Sequence, residues 1–223
     1  LMIYPVVGGF RMIAGKKGFF DGKPEAFSME ESEHAYIIRS KEHEMILQKE
    51  TLEISIDRKA ITNLKNISFI FEKESVSASR IQFSIHENSA IYGFGERFDS
   101  VNQYGKTVAL WQRDACEGCL ASIGNQAYKN IPLVHTSDGF SFFANTSYRM
   151  RMDVGDAVQD YLSVEALGDV FDFYIWSGTP REAMTAYGTL TGLPIFPPEW
   201  VFEPWAGGGG GRWRNGPLQD IAL

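Results

Sequence analysis

The stretch Phe171-Asp172-Phe173-Tyr174-Ile175-Trp176-Ser177-Gly178-Thr179-Pro180-Arg181-Glu182 changes its periodicity halfway along. Phe171, Phe173 and Ile175 recur every second residue, the spacing of a strand with one buried face. Then Thr179 offers an N-cap hydroxyl, Pro180 suits the first helical position, and Glu182 stands three residues after the cap. That is a capping box, and it predicts a helix near residues 180 to 191. Ala183, Met184, Tyr187 and Leu190 recur at helical spacing, and Gly192 followed by Pro194 supplies the stop.

Upstream of this junction only the strand period appears. Leu52, Ile54, Ile56 form one run; Ile81, Phe83, Ile85 another; Tyr148, Met150, Met152, Val154 a third. Asp21-Gly22-Lys23-Pro24, Glu87-Asn88, Ser137-Asp138-Gly139 and Gly168-Asp169 mark turns between runs. Many half-buried strands with short connections predict a mainly β protein, an antiparallel β-sandwich with a single C-terminal helix. Downstream, Pro197-Pro198 precede the aromatic run Glu199 to Trp205, read as a buried strand, and five glycines, Gly207 to Gly211, follow as a loop. The proline-marked junction divides the chain into a sandwich at 1–196 and a separate segment at 197–223.

Composition narrows the function. The chain has 223 residues, 44% hydrophobic and 22% charged, with 28 acidic against 21 basic residues and a formal charge of -7. Its basic residues are scattered, so no electrostatic footprint for nucleic acid exists, and a neutral substrate suits the balance. No apolar run approaches the roughly 20 residues of a membrane helix, and neither a signal peptide nor a lipid anchor is read at the start. Two cysteines are too few for a disulfide framework, which points to the reducing cytoplasm. Asn66-Ile67-Ser68 and Asn145-Thr146-Ser147 match the glycosylation pattern, which leaves a secreted form open.

Three constellations could carry chemistry. Cys116-Glu117-Gly118-Cys119 has the spacing of half a zinc site or of a redox pair. No second cysteine pair and no close histidine pairing accompany it, and its surroundings are polar and glycine-flanked, so it reads as two thiols in a loop. Tyr92-Gly93-Phe94-Gly95-Glu96-Arg97 has too few glycines for a phosphate loop. Its glycines suit a bulge or a close backbone approach, and Glu96 with Arg97 reads as a structural ion pair. Arg113 and Asp114 follow an aromatic strand ending near Trp111 and open a long polar stretch reaching Gln126. A guanidinium and a carboxylate there could bind sugar hydroxyls beside the apolar face of Trp111, or could form a solvated ion pair.

Several stretches together resemble the N-terminal part of glycoside hydrolase family 31. They are Tyr92 to Asp99, Trp111-Gln112-Arg113-Asp114, Ala127 to Pro132, Gly139 to Asn145, Ser177 to Pro180, and Tyr187 through Pro194 to Trp200. Their order and spacing over residues 90 to 205 carry the resemblance; residues 1 to 89 match only in being strand-rich. It implies a sandwich of the galactose mutarotase-like fold followed by a (β/α)8 barrel, of which about 250 residues are needed and only the first strand and loop would fit here.

For the whole enzyme the resemblance implies retaining cleavage or transfer of α-linked glucosyl or xylosyl residues. Two carboxylates roughly 5 to 5.5 Å apart act as nucleophile and acid/base. Both are expected beyond Leu223, so no catalytic residue is assigned in this chain and the chain alone is expected to be inactive. The family's sandwich lends a loop to the sugar pocket, and its Arg-Asp pair is similar to Arg113-Asp114. An aromatic after the first barrel strand also lines that pocket, for which Trp205 and Trp213 are the candidates. Glu203-Pro204 stands where family members commonly carry a glycine. The partner implied is an oligosaccharide or α-glycoside, in a bacterial cytoplasm; no metal, cofactor, nucleic acid or membrane is implied, and homo-oligomerisation of the full enzyme is left open. A free-standing carbohydrate-binding module and a mutarotase-like epimerase are the competing readings.

Overall fold

The computed structural model describes residues 1–15, 26–72, 75–112 and 127–204. In chain order the strands are β1 (Met2–Val6), β2 (Gly9–Gly15), β3 (Ser28–Glu31), β4 (Ala35–Arg39), β5 (Glu44–Gln48), β6 (Glu53–Ile56), β7 (Lys59–Glu72) and β8 (Ser75–Ser84). They continue as β9 (Ile91–Gly95), β10 (Lys106–Leu110), β11 (Asn130–Thr136), β12 (Phe140–Ala144), β13 (Met150–Val154), β14 (Tyr161–Leu167) and β15 (Val170–Ser177). One α-helix, α1 (Pro180–Thr191), and a 3-10 turn, Glu199–Phe202, follow.

Among the described residues the strands form two antiparallel sheets. One has six strands in the order β1-β2-β15-β12-β11-β9, the other nine in the order β10-β13-β14-β8-β7-β6-β5-β4-β3. The period-two residues explain why the sheets stack. Phe83 of β8 meets Phe140 and Phe142 of β12 and Phe173 of β15, with ring centroids 6.2, 5.1 and 5.7 Å apart. The contacts with Phe142 and Phe173 are edge-to-face, a geometry that adds about 0.5–1.5 kcal/mol per pair beyond area burial. Ile54, Ile81, Met152, Val164 and Ile175 are fully buried in the same core. The sandwich expected from the sequence is therefore present.

The helix sits on the other face of the six-stranded sheet. Its capping box is complete: Thr179 Oγ1 accepts from the Glu182 backbone N–H at 3.3 Å, and Glu182 accepts from the Thr179 backbone N–H at 2.8 Å. The buried contacts differ from the expected ones. Ala183 and Ala186 lie against Leu133, Phe143, Tyr174 and Trp176, with Tyr187 partly buried beside them. Met184 and Leu190 remain 49% and 41% exposed. Close approach decides this: a Cβ at Gly8 would lie 3.0 Å from the Ala186 Cβ, so only small side chains fit at the contact.

The expected buried strand after Pro198 is not formed. Glu199–Phe202 makes a single turn in which the Val201 N–H bonds the Pro198 carbonyl at 3.1 Å and the Glu203 N–H bonds the Trp200 carbonyl at 3.2 Å. None of its residues is buried. With no partner strand beside it among the described residues, the backbone satisfies itself locally.

Candidate functional site

The glycines of Tyr92-Gly93-Phe94-Gly95 shape the edge where the site lies. Gly93 and Gly95 adopt φ of 109° and 83°, and Phe94 itself has φ 67°. A Cβ at Gly93 would stand 2.2 Å from the Leu133 carbonyl oxygen, and one at Gly95 only 2.0 Å from that of Lys129. Only glycine lets β9 come this near β11, and the pairing carries an irregularity between Asn130 and Val134. The close-approach role read from the sequence is what the structure has.

That irregularity builds a clasp. The Glu96 N–H bonds the Lys129 carbonyl at 2.8 Å, which turns the chain so that Arg97 points back into the edge. Arg97 Nη2 donates to the Phe94 carbonyl at 3.1 Å and to Asn130 Oδ1 at 2.5 Å. Asn130, 9% exposed, donates through Nδ2 to the Ala127 carbonyl at 2.9 Å. Gln112 Nε2 donates to the Asn130 carbonyl at 3.3 Å, and Gln112 and Ala127 form a parallel bridge. Residues 112 and 127, between which the sequence placed a long polar stretch, thus meet at one point, with Asn130 tied to both.

Arg97 does not pair with Glu96, contrary to expectation. Glu96 instead lies 4.0 Å from Lys129, at the limit of an ion pair. Arg97 Nε and Nη1 are buried without a hydrogen-bond partner, and burial lowers the guanidinium's pKa, with nearby Asp99 opposing. Arginine stays charged under such shifts, so a positive charge stands at the base of the clasp. Asp99 is held at about 2: burial pushes its carboxyl up, but hydrogen bonds from Lys106, Gln103 and the Ser100 N–H together outweigh that.

Around the clasp the rim is aromatic. Phe98 follows Arg97 and is 53% exposed; Trp111 precedes Gln112 and is 51% exposed; Tyr128 follows Ala127 and is 56% exposed. Exposed rings beside fixed hydrogen-bond donors suit the apolar faces and hydroxyls of sugars. Their chemistry is that of binding and positioning, with no nucleophile or acid/base pair among them.

Arg113, Asp114, Trp205 and Trp213, the expected sugar contacts, lie outside the described residues, as do Cys116 and Cys119. Trp111 directly follows β10, as the sequence placed it, although the strand itself, Lys106–Leu110, carries no aromatic residue. Among the described residues no three histidine, cysteine or acidic side chains gather to hold a metal, and no helix is long and apolar enough to cross a membrane.

Comparison with known proteins agrees with this fold. Residues 18–153 match the model of the glycosyl hydrolase 31 N-terminal galactose mutarotase-like domain. Alpha-xylosidase XylQ of Lactiplantibacillus pentosus is 34% identical over 131 residues, covering 58% of this chain and 16% of that protein. Alpha-glucosidase 2 of Bacillus thermoamyloliquefaciens is 24% identical over 182 residues, covering 78% of the chain and 22% of its own length. The chain thus spans about a fifth or less of these relatives.

Among solved structures, the cycloalternan-forming enzyme of Listeria monocytogenes, in complex with a pentasaccharide substrate, superposes with a TM-score of 0.76 at 19% identity, over 88% of this chain and 20% of that one. A GH31 dextranase of Flavobacterium johnsoniae complexed with isomaltotriose gives 0.70 at 21% identity, over 87% and 26%. These likenesses share the two-sheet architecture, while the family match covers more than half of the sequence. The chain belongs to glycoside hydrolase family 31, as its N-terminal galactose mutarotase-like domain.

Proposed function

We propose that the chain serves a retaining α-glycosidase that cleaves or transfers α-linked glucosyl or xylosyl residues, scaffolding a (β/α)8 catalytic barrel and lending residues 113–126 to the sugar pocket. The observation that carries this is the clasp. Gln112 and Ala127, the residues that flank 113–126 in sequence, are pinned together beside exposed Trp111 and Tyr128. Relatives named as an α-xylosidase and an α-glucosidase support the reaction class. The cytoplasm remains the proposed compartment, on the strength of only two cysteines.

The binding-module reading draws on the same exposed rings, without a barrel. An epimerase reading has less support: buried His135 bonds Ser141 at 2.8 Å rather than a carboxylate, and the histidine that does meet one, His43 at 2.8 Å from Asp57, forms a partly exposed pair that joins the start of β5 to the β6–β7 turn. The test is to extend the reading frame past Leu223 and assay the longer polypeptide on aryl α-glucosides and α-xylosides. Turnover with retained anomeric configuration is expected from it, and none from the 223-residue chain. A reading frame that stops at Leu223, or turnover by the short chain, overturns the proposal.

A further inference from the structure

A second concave site lies where β2 and β15 meet the turns on either side of β13 and β14. Its floor is a locked ion pair: Arg11 Nε donates to Asp172 Oδ1 at 2.8 Å and Nη2 to Oδ2 at 2.5 Å, with the side chains only 15% and 14% exposed. The guanidinium also lies over the rings of Tyr4 and Tyr174, 5.6 and 5.4 Å from their centroids. Asn145 is held by the same carboxylate and the same backbone. Its Nδ2 donates to Asp172 Oδ2 at 2.6 Å and its N–H to the Asp172 carbonyl at 2.8 Å, which leaves Asn145 Oδ1 as an acceptor. Arg11, Asp172 and Asn145, together with Thr146, Tyr148 and Asp169, line a cavity of about 330 Å³.

Tyr148 gives the cavity its aromatic wall. The ring is 62% exposed, and its carbons lie 3.5 and 3.6 Å from where a Cβ on Gly168 would be, so one side rests on the turn and the other is open. A shallower groove of about 600 Å³ shares Asn145, Thr146 and Tyr148 and continues past Phe143 to Asn130 and Ile131 at the rim.

The chemistry selects the ligand. Arg11 and Asp172 cancel each other's charge, and Asp169 leaves a slight negative excess, which repels phosphates and carboxylates. An exposed ring offers stacking, and polar groups already fixed by one another need no ordering on binding. The volume is at the small end of ligand pockets, about 300–1,000 Å³, and suits one or two sugar rings.

We infer that the Tyr148 cavity is an auxiliary sugar-binding site, taking a neutral pyranose of an α-linked oligosaccharide whose chain runs along the groove toward the rim. The choice of an α-linked oligosaccharide rests on the proposed function; the geometry of the cavity does not.

The test titrates the 223-residue chain with maltotriose, isomaltotriose and methyl α-xyloside, by calorimetry and by backbone amide shifts. Saturable binding is expected with a Kd of about 1 mM or somewhat weaker, and about tenfold or greater weakening in Tyr148→Ala. Tyr148→Phe should keep the affinity, because the ring face is what binds. On the unsubstituted chain the shifts should centre on Asn145, Gly168 and Asp169, a readout that holds even if Tyr148→Ala fails to fold. Absence of saturation up to about 50 mM, shifts confined to Trp111 and its neighbours, or undiminished binding by Tyr148→Ala overturns the inference. Lowered melting of the longer polypeptide by Tyr148→Ala, with no sugar binding, would also overturn it. Binding without glycosidase turnover by the longer polypeptide would keep this site and reject the enzyme; turnover without binding would do the reverse.

Discussion

Arg97 donates to the side-chain carbonyl of Asn130 at 2.5 Å across 33 positions of sequence, and through Asn130 it is coupled to Gln112 and Ala127. The bond is charge-assisted on one side only, and two other guanidinium nitrogens are buried without partners. A buried arginine satisfied this incompletely contributes by position more than by net energy.

The first prediction follows from that coupling. Asn130→Ala removes the acceptor of Arg97 and the donor to the Ala127 carbonyl together, leaving buried groups unpaired, and should destabilise the chain by about 1–3 kcal/mol. Arg97→Met keeps the apolar stem and removes both the bond and the stranded donors, so it should cost less than Asn130→Ala. Denaturant unfolding of the two variants checks the order, and equal or reversed losses would remove the clasp from the account.

Gly95, the last residue of β9, and Gly105, just before β10, predict a contrast between glycines. Gly105 has φ 77° with nothing within 4 Å of an added Cβ, whereas Gly95 has φ 83° and a carbonyl oxygen at 2.0 Å. Gly105→Ala should cost only left-handed strain, about 1–2 kcal/mol. Gly95→Ala adds a clash with β11 that backbone alone can relieve, and should cost several times as much or prevent folding. Thermal melts of both variants decide it; a milder Gly95→Ala would mean that the edge pairing gives way easily.

Asp99 predicts the acid limb of stability. Its folded pKa, about 2, is below the ordinary carboxyl value of 3.8, so the folded state gains from ionisation. That contribution is fully present above the unfolded pKa and is lost as pH falls from near 4 toward 2. Asp99→Asn should therefore flatten the melting-temperature profile over that interval relative to the unsubstituted chain, with Lys106 losing its partner. Parallel profiles down to about pH 2 would contradict the assignment.

The helix cap was legible residue by residue, and its test is correspondingly local. Thr179→Ala should cost about 1 kcal/mol through the lost cap. Glu182, held below its ordinary pKa by the Thr179 backbone and hydroxyl, should lose its contribution as pH falls through the lowered value. A melt of Thr179→Ala unchanged from the parent would show that sheet packing alone holds α1.

Why the cap and strands could be read while the site could not is a matter of range. Capping chemistry spans three residues and strand alternation two, so Thr179, Glu182, Phe171 and Phe173 declare themselves from neighbours alone. The Arg97–Asn130 bond joins distant segments, and the sequence offered Glu96 as the nearer partner for Arg97. Likewise Met184 and Leu190 look buried by period, but Gly8 and Ala186 bring α1 so near its sheet that small residues take the contact. Glu199–Phe202 looks like a strand because it carries Trp200, Val201 and Phe202, and strand formation needs a partner that composition cannot supply. The Tyr148 cavity draws on β2, β15 and two turns, and no local pattern announces it.

The last prediction concerns Asp114, which stands two positions beyond the Gln112 anchor in sequence and which the sequence resemblance proposes as part of the family's Arg-Asp pair. Because Gln112 is tied through Asn130 to the clasp, a substrate contact made just past it starts from a fixed point, and fixed points are what positioning requires. If Asp114 accepts a hydrogen bond from a sugar hydroxyl in a partly desolvated pocket, Asp114→Ala in the longer polypeptide should lose about 1.5–3 kcal/mol of transition-state stabilisation, roughly a 10- to 150-fold fall in kcat/KM. Its melting temperature should hardly move. Asn130→Ala in the same polypeptide should lower both, since it loosens the anchor as well as the fold. An unaltered kcat/KM for Asp114→Ala would return that residue to the class of solvated loop charges, and a lowered melting temperature alone would make it part of a domain junction.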